Sequence, residues 1–384
     1  MSKKILFIVN SLASGGAEKQ VVTVASYLKK RGYKVEICCH VKHEFHEYIL
    51  LQNGIKVHWL IENNLLLRIL RFRKFIRKGN YNAVISFLPV SNFFNCFAGI
   101  GGKKWKIITS ERNSFDRLLL PMKDRITISF QKKSDYIVCN SERAKQKWQH
   151  YSPLCKNKLL TIYNTILLPQ ITTNYVPLKN KRLHIVIAAT YRYLKNPIGL
   201  IQALVLLNES QKRKIEIHWY GRAHIGKTLM AYDESVELIN KFDLQNTIYL
   251  HGETKDIANK MNEADVVALF SELEGLPNAI CEAMLIGKPI IMTRVSDYNI
   301  LVDGANGFLC DWNNTESIKQ AIEGAMNLSK EELLLMGSVS KEKAEKLFSE
   351  RSVIDEWVSI IEKETFKTKK KETKMNNNES IICN

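Results

Sequence analysis

Two carboxylates, Glu274 and Glu282, flank the segment EGLPNAICE, which follows the apolar run DVVALFS. One interpretation is a strand, a turn and a helix whose first turn carries an acid, because helix N-termini favour negative charge. The other is that both acids hold hydroxyls of a ligand whose phosphates bind at the same helix N-terminus. Gly275 permits close approach or an unusual φ, and Pro277 pre-sets the first helical turn. The rest of the chain decides between these interpretations.

Two cations, Arg192 and Lys195, follow a second apolar run, HIVIAAT, in the loop segment YRYLKNP. An arginine grips a diphosphate through two parallel hydrogen bonds, and a lysine binds it as a point charge. Two cations alone carry little weight in a chain with 56 Lys and Arg residues. Their position gives them weight, because ligands of open α/β sheets bind beyond the carboxyl ends of the strands.

Short β-rich apolar runs alternate with helical patterns along the chain, beginning with the run KILFIVN and the helical segment AEKQVVTVASYLKKRG. This alternation predicts right-handed βαβ units around a parallel sheet. It stops in a polar, proline-containing linker near 168–182 and then restarts. We therefore predict an α/β protein with two Rossmann-like, doubly wound parallel-sheet domains facing a cleft. The predicted parts are residues 1–168, residues 169–349, a last helix at 350–366 that crosses back to the first domain, and a disordered basic and polar tail at 367–384.

The composition is that of a globular and markedly basic protein. With 384 residues, 45% of them hydrophobic and 25% charged, the chain can form two full cores. A net charge of +17 suits nucleic acid, anionic lipid or phosphorylated ligands. No apolar run reaches the roughly 18 residues of a membrane helix, and the N-terminal run fits a strand better than a signal peptide. Eight scattered cysteines without CxxC indicate buried thiols in a reducing, cytoplasmic compartment.

A glycine pair, Gly15 and Gly16, follows the first predicted strand and precedes a helix. It is either a plain turn or a place where backbone N–H groups approach an anion. The segment lacks GxGxxG, and the second strand ends in CCHV without an acid for a ribose, which disfavours a nicotinamide enzyme. The segment CCHVKHEFHE invites a metal site, but its spacing matches no standard zinc pattern, so we predict no metal there.

The segment EGLPNAICEAMLIGKPIIMT, with its E-x7-E spacing, resembles the signature of retaining glycosyltransferases of family 4, which have the two-domain GT-B fold. The resemblance extends over most of residues 3–362. Further matching segments, in similar order, are GGAE, NSE at 140–142, YN at 163–164, YRYLKNP, HG at 251–252 and DGANGFL at 303–309.

The resemblance implies transfer of a sugar from a nucleotide-sugar with retention at the anomeric carbon. Arg192 and Lys195 would then stabilise the leaving diphosphate, Glu274 would hold a donor-sugar hydroxyl, and Glu282 would bind the ribose diol. The chain has no D-x-D, and the family works without metal, so we expect neither a metal nor another cofactor. The donor-binding set implied in this way is Gly15, Gly16, Arg192, Lys195, Gly252, Glu274, Gly275, Leu276, Pro277, Asn278 and Glu282, with Arg192, Lys195 and Glu274 as the catalytic residues.

The chain departs from the family pattern in two places. Many members carry a histidine after the fifth strand, where this chain has TSERNSFD, so Glu111 and Arg112 are candidates for the acceptor side. Many members also have Gly-Gly and an acid after the strand PIIMT, where this chain has Ser296 and Asp297. These departures leave the donor sugar and the acceptor open.

The segment at 65–80 has six basic residues, and its apolar residues Leu65, Ile69, Phe72 and Ile76 recur at helical spacing. The apolar stripe is expected to pack on the first sheet with a solvated basic face. The alternative is that the basic residues reach the phosphates of anionic lipid, near a lipid-linked acceptor. The apolar stripe can pack on the sheet while the basic residues of the same helix contact lipid phosphates.

The favoured function is a metal-independent hexosyl- or N-acetylhexosaminyltransferase, peripheral at the cytoplasmic face of the membrane. It would move a sugar from a UDP-sugar to a lipid-linked or saccharide acceptor of a surface polysaccharide (lipopolysaccharide or capsule) or glycolipid. A GT-B nucleotide-sugar epimerase keeps the fold but needs no acceptor. A nucleic-acid binder would use the charge of +17, but the chain lacks a recognisable nucleic-acid module, so no nucleic-acid partner is expected.

Overall fold

The computed structural model describes residues 2–13, 15–112, 122–166, 168, 170–223 and 227–363. The chain divides into two compact units, and the divisions fall between Thr165 and Ile166 and between Glu350 and Arg351. The first unit therefore combines the N-terminal part of the chain with its last described helix, and the second unit is continuous. The predicted tail at 367–384 lies outside the described residues.

The first unit is built on a seven-stranded parallel sheet in the order β3-β2-β1-β4-β5-β6-β7. Its strands are β1 (Lys4–Val9), β2 (Lys34–Cys39), β3 (Lys56–Trp59), β4 (Ala83–Phe87), β5 (Lys106–Glu111), β6 (Tyr136–Cys139) and β7 (Leu159–Thr161). Its helices are α1 (Gly16–Lys30), α2 (Glu47–Gln52), α3 (Leu65–Lys78), α4 (Pro89–Ala98), α5 (Met122–Ser129), α6 (Glu142–Tyr151) and α15 (Glu350–Glu362).

The second unit is built on a six-stranded parallel sheet in the order β10-β9-β8-β11-β12-β13. Its strands are β8 (Leu183–Ala188), β9 (Ile215–Tyr220), β10 (Ile248–His251), β11 (Val266–Leu269), β12 (Ile290–Thr293) and β13 (Gly307–Cys310). Its helices are α7 (Pro197–Val205), α8 (Glu209–Lys212), α9 (Lys227–Lys241), α10 (Ile257–Glu263), α11 (Asn278–Ile286), α12 (Tyr298–Leu301), α13 (Thr315–Met326) and α14 (Lys330–Phe348). The prediction of two doubly wound parallel sheets is confirmed, and β13 is a strand that the apolar runs did not reveal.

The last helix, α15, packs into the core of the first unit. Its buried residues recur at helical spacing, and Trp357 stacks on Phe87 of β4 with ring centroids 5.9 Å apart. Lys106, at the start of β5, donates to the carbonyl oxygens of Ile360 and Ile361 at 3.1 and 2.8 Å. Because the last carbonyls of a helix have no intrahelical donor, this lysine closes the C-terminus of α15.

Helix α3 differs in part from the amphipathic prediction. Phe72 and Ile76 are buried as expected, but Leu65 is 61% exposed, so the apolar stripe does not continue to the start of the helix. Arg73 and Arg77 donate to carbonyl oxygens at the end of α4, including that of Ala98 at 3.3 and 3.1 Å. Both arginines therefore cap α4, and Arg77 is exposed as expected whereas Arg73 is half-buried.

The cysteines in the described part of the chain are all free and buried. Cys38 and Cys39 belong to different hydrophobic clusters, because successive side chains of a strand point to opposite faces of the sheet. These two cysteines of the segment CCHVKHEFHE therefore do not lie on one face of the sheet. No helix in the described ranges is long and apolar enough to cross a membrane.

Candidate functional site

The loop that follows β8 carries the two predicted cations. Tyr191 anchors its first part, because its buried ring stacks on Trp219 and its hydroxyl donates to backbone carbonyl oxygen. Asn196, with a left-handed φ of 61°, anchors its end by accepting a hydrogen bond from a backbone N–H of α7. Between these anchors Arg192 is exposed and Lys195 is half-buried. The loop therefore presents two cations at the carboxyl end of the central strand.

The loop that follows β11 carries Glu274. Ser271 donates to the Glu274 carboxylate at 2.7 Å, and Thr293 of β12 donates to the carbonyl oxygen of Ser271 at 2.6 Å. The N–H of Glu272 donates to the carbonyl oxygen of Leu194 at 2.9 Å. Since Leu194 belongs to the loop after β8, this backbone hydrogen bond ties the two loops together.

Lys195 and Glu274 form an ion pair between these loops. Their side chains are 20% and 13% exposed, so the pair lies partly out of water, where charges interact more strongly than at an open surface. The sequence predicted both residues for one ligand but not their direct contact. The arrangement places a cation suited to an anion beside a carboxylate suited to hydroxyl groups.

Helix α11 holds the remaining predicted acid. It begins at Asn278, directly after Pro277, and ends at Gly287, whose φ of 88° lies in the left-handed region that favours glycine. A Cβ on Gly337 of α14 would collide with the carbonyl oxygen of Gly287, so the two helices need glycine to approach this closely. Glu282 lies half-buried in the middle of α11. Helix N-termini attract anions, and that of α11 follows directly on the Glu274 loop.

Ser296 supports the Glu274 loop from the neighbouring segment. Its φ is 53°, in the left-handed region, and its hydroxyl donates to the carbonyl oxygen of Gly275. A serine therefore takes a backbone conformation that favours glycine, at the place where the family pattern has glycines. Gly275 itself does not have a positive φ, so the possibility that it needs an unusual φ is wrong.

Two further loops of the same sheet edge carry charge. Gly252 lies exposed after β10, and its neighbour Glu253 pairs with Arg222 of the loop after β9, with 2.6 Å from Nε to the carboxylate. Both charges of this pair are exposed, so it contributes little to stability. Arg222 is a cation that the sequence analysis missed, because nothing in the segment YGRAH marks it apart from other basic residues.

Gly15 and Gly16 lie at the start of α1 in the first unit. Gly15 has an ordinary extended backbone, with φ −77° and ψ 156°, so its conformation does not require glycine. A Cβ there would collide with the carboxylate of Glu18, which folds back over this position. Burial raises the pKa of Glu18, and a backbone hydrogen bond lowers it in part. The glycine thus makes room for an acid at the helix N-terminus, a partner that the sequence analysis missed.

Glu111 and Arg112 lie at the carboxyl end of β5, and both are buried. Gln131 donates to the Glu111 carboxylate at 3.1 Å, and Arg112 donates to the side-chain oxygen of Asn164 at 2.6 Å. The guanidinium also lies 4.7 Å from the ring centroid of Phe87, and burial lowers the pKa of Arg112 to about 9. The structure therefore shows what holds these two side chains, and their acceptor role stays a prediction.

A neutral polar network lies beside them at the ends of β1, β2 and β4. The Asn10 side-chain oxygen accepts hydrogen bonds from Ser91 at 3.1 Å and from the His40 ring at 3.0 Å. Burial lowers the pKa of His40 to about 4, with a smaller effect from Arg68. Leu88 has φ 75° and ψ 151°, a strained conformation of the kind that concentrates at functional sites.

Solved structures show which class of fold this is. HepE of Anabaena, crystallised with UDP, is 17% identical, with a TM-score of 0.80 over 93% of this chain and 99% of HepE. A glycosyltransferase of Rickettsia africae is 20% identical, with a TM-score of 0.78 over 94% of this chain and 98% of that one. The lipopolysaccharide outer core galactosyltransferase WaaB is 17% identical, with a TM-score of 0.74 over 93% and 99%. The two parallel sheets therefore form the GT-B fold.

Two family models match the chain side by side. The model described as Glycosyltransferase Family 4 matches residues 14–168, and the model described as Glycosyl transferases group 1 matches residues 182–327. The two matches span most of residues 14–327, and the chain belongs to the glycosyltransferases that both models describe, as the resemblance predicted. No curated protein has a sequence that matches this chain.

Proposed function

We propose that this glycosyltransferase moves a sugar from a UDP-sugar to a lipid-linked or saccharide acceptor, with retention at the anomeric carbon. The observation that carries the proposal is the ion pair between Lys195 and Glu274 at the carboxyl edge of the second sheet. HepE, which shares the fold, has been crystallised with UDP and with UDP-glucose, and this supports uridine as the base.

The second unit supplies the donor contacts. A diphosphate would compete with Glu274 for the ammonium group of Lys195 and would find a second cation in the exposed Arg192. The freed Glu274 carboxylate, still held by Ser271, would accept a hydroxyl of the donor sugar. The N-terminus of α11, with Gly275 to Asn278, would add N–H donors, and Glu282 would accept the ribose hydroxyls.

The leaving group is stabilised by fixed cations. Arg192 and Lys195 would bind the negative charge that develops on the diphosphate, which is where preorganised electrostatics lowers the barrier most. We propose that no metal takes part and that no carboxylate acts as nucleophile. The departing phosphate oxygen would take the acceptor proton on the same face, which gives retention.

The first unit supplies the acceptor side in this proposal. Glu111 and Arg112 are held rigidly by Gln131 and Asn164 at the end of β5. The start of α1, with Gly15 and Gly16, would let its backbone N–H groups approach a ligand phosphate. Such an approach requires the Glu18 carboxylate to turn away, because it covers Gly15.

Helix α3 is the proposed contact with anionic lipid at the cytoplasmic face of the membrane. Its exposed leucines lie on its first half, and Lys74 and Lys78 make no hydrogen bond or ion pair with other described residues. A helix with apolar and basic exposed groups suits the interface of an anionic membrane. The exposed leucines are Leu65, Leu66, Leu67 and Leu70.

The donor experiment is an incubation of the purified chain with UDP-, GDP- and ADP-sugars, EDTA and a membrane lipid extract, read by mass spectrometry. We expect a new glycolipid with one UDP-sugar. Glu274→Gln should lower the rate by at least about a hundredfold, as for lost transition-state contacts, while the exposed neighbour variant Glu272→Gln keeps it. Conversion of a donor into its isomer would indicate an epimerase instead, and absence of nucleotide binding would overturn the proposal.

The membrane experiment is co-sedimentation with vesicles of phosphatidylcholine alone or with phosphatidylglycerol. The triple variant with Leu65, Leu66 and Leu70 changed to serine should lose binding to the anionic vesicles. The matched control changes Leu334 and Leu335, two exposed leucines of α14, to serine and should bind as before. Equal binding of both variants would remove the assignment to α3.

A further inference from the structure

One face of the second sheet carries a row of imidazole and carboxylate groups. His184 of β8 and Glu216 of β9 are register partners, and His218 lies two residues farther along β9. Because side chains alternate along a strand, these three project from the same face, whereas Ile185 and Ile217 point into the hydrophobic core. Neither the sequence motifs nor the proposed sugar transfer uses this face.

The three groups are close enough to share one ion. One ligand atom from each of His184, Glu216 and His218 lies within 4.8 Å of the other two. A tetrahedral zinc ion with bonds of about 2.0–2.2 Å needs its ligand atoms roughly 3.4 Å apart, so modest rotations of the side chains are enough. His251 lies next to His218, with 2.9 Å between their ring nitrogens.

His184 has a ring nitrogen that is available to a metal ion. Its Nε2 is buried and has no hydrogen-bond partner among the described residues. A neutral imidazole nitrogen of this kind can offer its lone pair to a metal ion.

The surrounding charges permit a cation here. Arg182 lies 3.6 Å from Glu216, but its guanidinium also donates to the carbonyl oxygens of Ile215 and Asn246 and keeps those bonds if the carboxylate turns. Lys260 is paired with Glu263 at 3.2 Å.

We propose that His184, Glu216 and His218 form a binding site for a divalent transition-metal ion of the Zn²⁺ class. Two imidazoles and a carboxylate suit such ions better than Mg²⁺ or Ca²⁺, which prefer oxygen ligands. The ion would cross-link β8 to β9 and stabilise the second unit. His184 lies at the start of β8 and Lys195 follows its end, so the site is separate from the proposed transfer chemistry, which still needs no metal.

The test is a titration of the EDTA-treated full chain, without a histidine tag, with Zn²⁺ alone, read by calorimetry. We expect one Zn²⁺ per chain, a higher unfolding temperature with Zn²⁺, and an affinity at least about tenfold lower in Glu216→Gln and in His218→Gln. Bound Co²⁺ should show ligand-field bands without a thiolate charge-transfer band, because the ligands are nitrogen and oxygen.

His58→Gln is the matched control. His58 lies 3.1 Å from Glu36 on neighbouring strands of the first sheet, but that carboxylate already binds Lys4 and Tyr81 at 2.9 and 2.8 Å. This variant should keep the zinc affinity. Equal affinity of the wild type and both site variants, no binding at all, or a thiolate band would overturn the proposal. EDTA-treated His218→Gln should retain sugar transfer, so either proposal can fail alone.

Discussion

The carboxyl edges of the two sheets share a parallel topology but differ in how their polar and charged groups are buried and paired. At the edge of the first sheet, buried polar groups hydrogen-bond to one another, as with Asn10, Ser91 and His40, and Arg112 is desolvated against Phe87. At the edge of the second sheet Lys195 and Glu274 are half-buried, and among the described residues their charged groups bond only to each other and to Ser271. The second edge can therefore exchange its contacts for those of a charged ligand.

The two edges differ in the free energy that is lost when their contacts are broken. Breaking the first network would leave buried polar groups unpaired, which is costly, so that edge suits a rigid surface that shapes a pocket. The ion pair of the second edge can be replaced by a ligand anion on the lysine and a hydroxyl on the carboxylate at little cost. The following variants test this contrast, in order of decreasing expected effect.

Lys195→Met should have the largest effect on catalysis. It removes the cation beside Glu274, so we expect the rate of sugar transfer to fall by about 10²–10³, as when one transition-state donor is lost. Steady-state kinetics with the active UDP-sugar measures this. Lys214→Met, an exposed lysine at the start of β9, is the control and should behave as the wild type. Full activity of Lys195→Met would mean that the two edges differ only in solvation.

The variant His40→Gln tests the buried polar network at the edge of the first sheet through the pH dependence of stability. The pKa of His40 is about 4 in the folded state, against 6.5 as its ordinary value, because burial disfavours the charged ring and Arg68 adds to this. Between these values the unfolded chain binds a proton that the folded chain does not. The free energy of unfolding should therefore fall by at most about 3 kcal/mol as the pH drops from 6.5 to 4.

Urea unfolding at several pH values measures this slope. The slope should be shallower in His40→Gln and unchanged in His43→Gln, since His43 is exposed. An unchanged slope in His40→Gln would show that the network at the first edge accepts a charge, and the contrast between the two edges would then be smaller than described.

Glu282→Ala should weaken nucleotide binding by about tenfold, the size of a lost hydrogen bond to a charged group. Calorimetry with UDP and with 2′-deoxy-UDP separates a ribose contact from a general loss of negative charge. The wild type should prefer UDP, and the variant should bind both alike. Glu345→Ala, an exposed acid of α14, is the control. A preference retained by Glu282→Ala would count against a ribose contact.

The smallest effect is expected at Ser296, which supports the Glu274 loop. Because its φ is 53°, Ser296→Gly should be more stable than Ser296→Ala by about 1 kcal/mol in urea unfolding, although both lose the hydrogen bond to Gly275. At Ser338, in the interior of α14, the order should be reversed, since alanine favours a helix over glycine. The same order at both positions would contradict backbone strain at the second edge.

Much of the second edge was predictable from sequence. Arg192, Lys195 and Glu274 follow apolar runs that become β8 and β11, and parallel strands bring their carboxyl ends to one edge. The ion pair itself was not predictable, because it depends on the loop conformations that Tyr191 and Asn196 fix. The residues Arg192, Gly252 and Glu282 remain assigned by position and resemblance alone.

Other features could not be predicted from any single segment of the chain. The short strand β13 carries no long apolar run, so it was missed. The exposure of Leu65 and the capping by Arg73 and Arg77 depend on how α3 packs beside α4. Strand register alone brings His184 beside Glu216, which are 32 positions apart in the chain.

The packing of α15 has a consequence for synthesis on the ribosome. The second unit is continuous, so all of its strands are available once residue 350 has emerged. The first unit is synthesised first but completes its core later. The core position next to Phe87 stays empty until Trp357 has been synthesised. At roughly 5–20 residues per second, nascent residues 1–165 wait for tens of seconds with an incomplete core. The part of the chain made first is thus the part that most needs protection from aggregation.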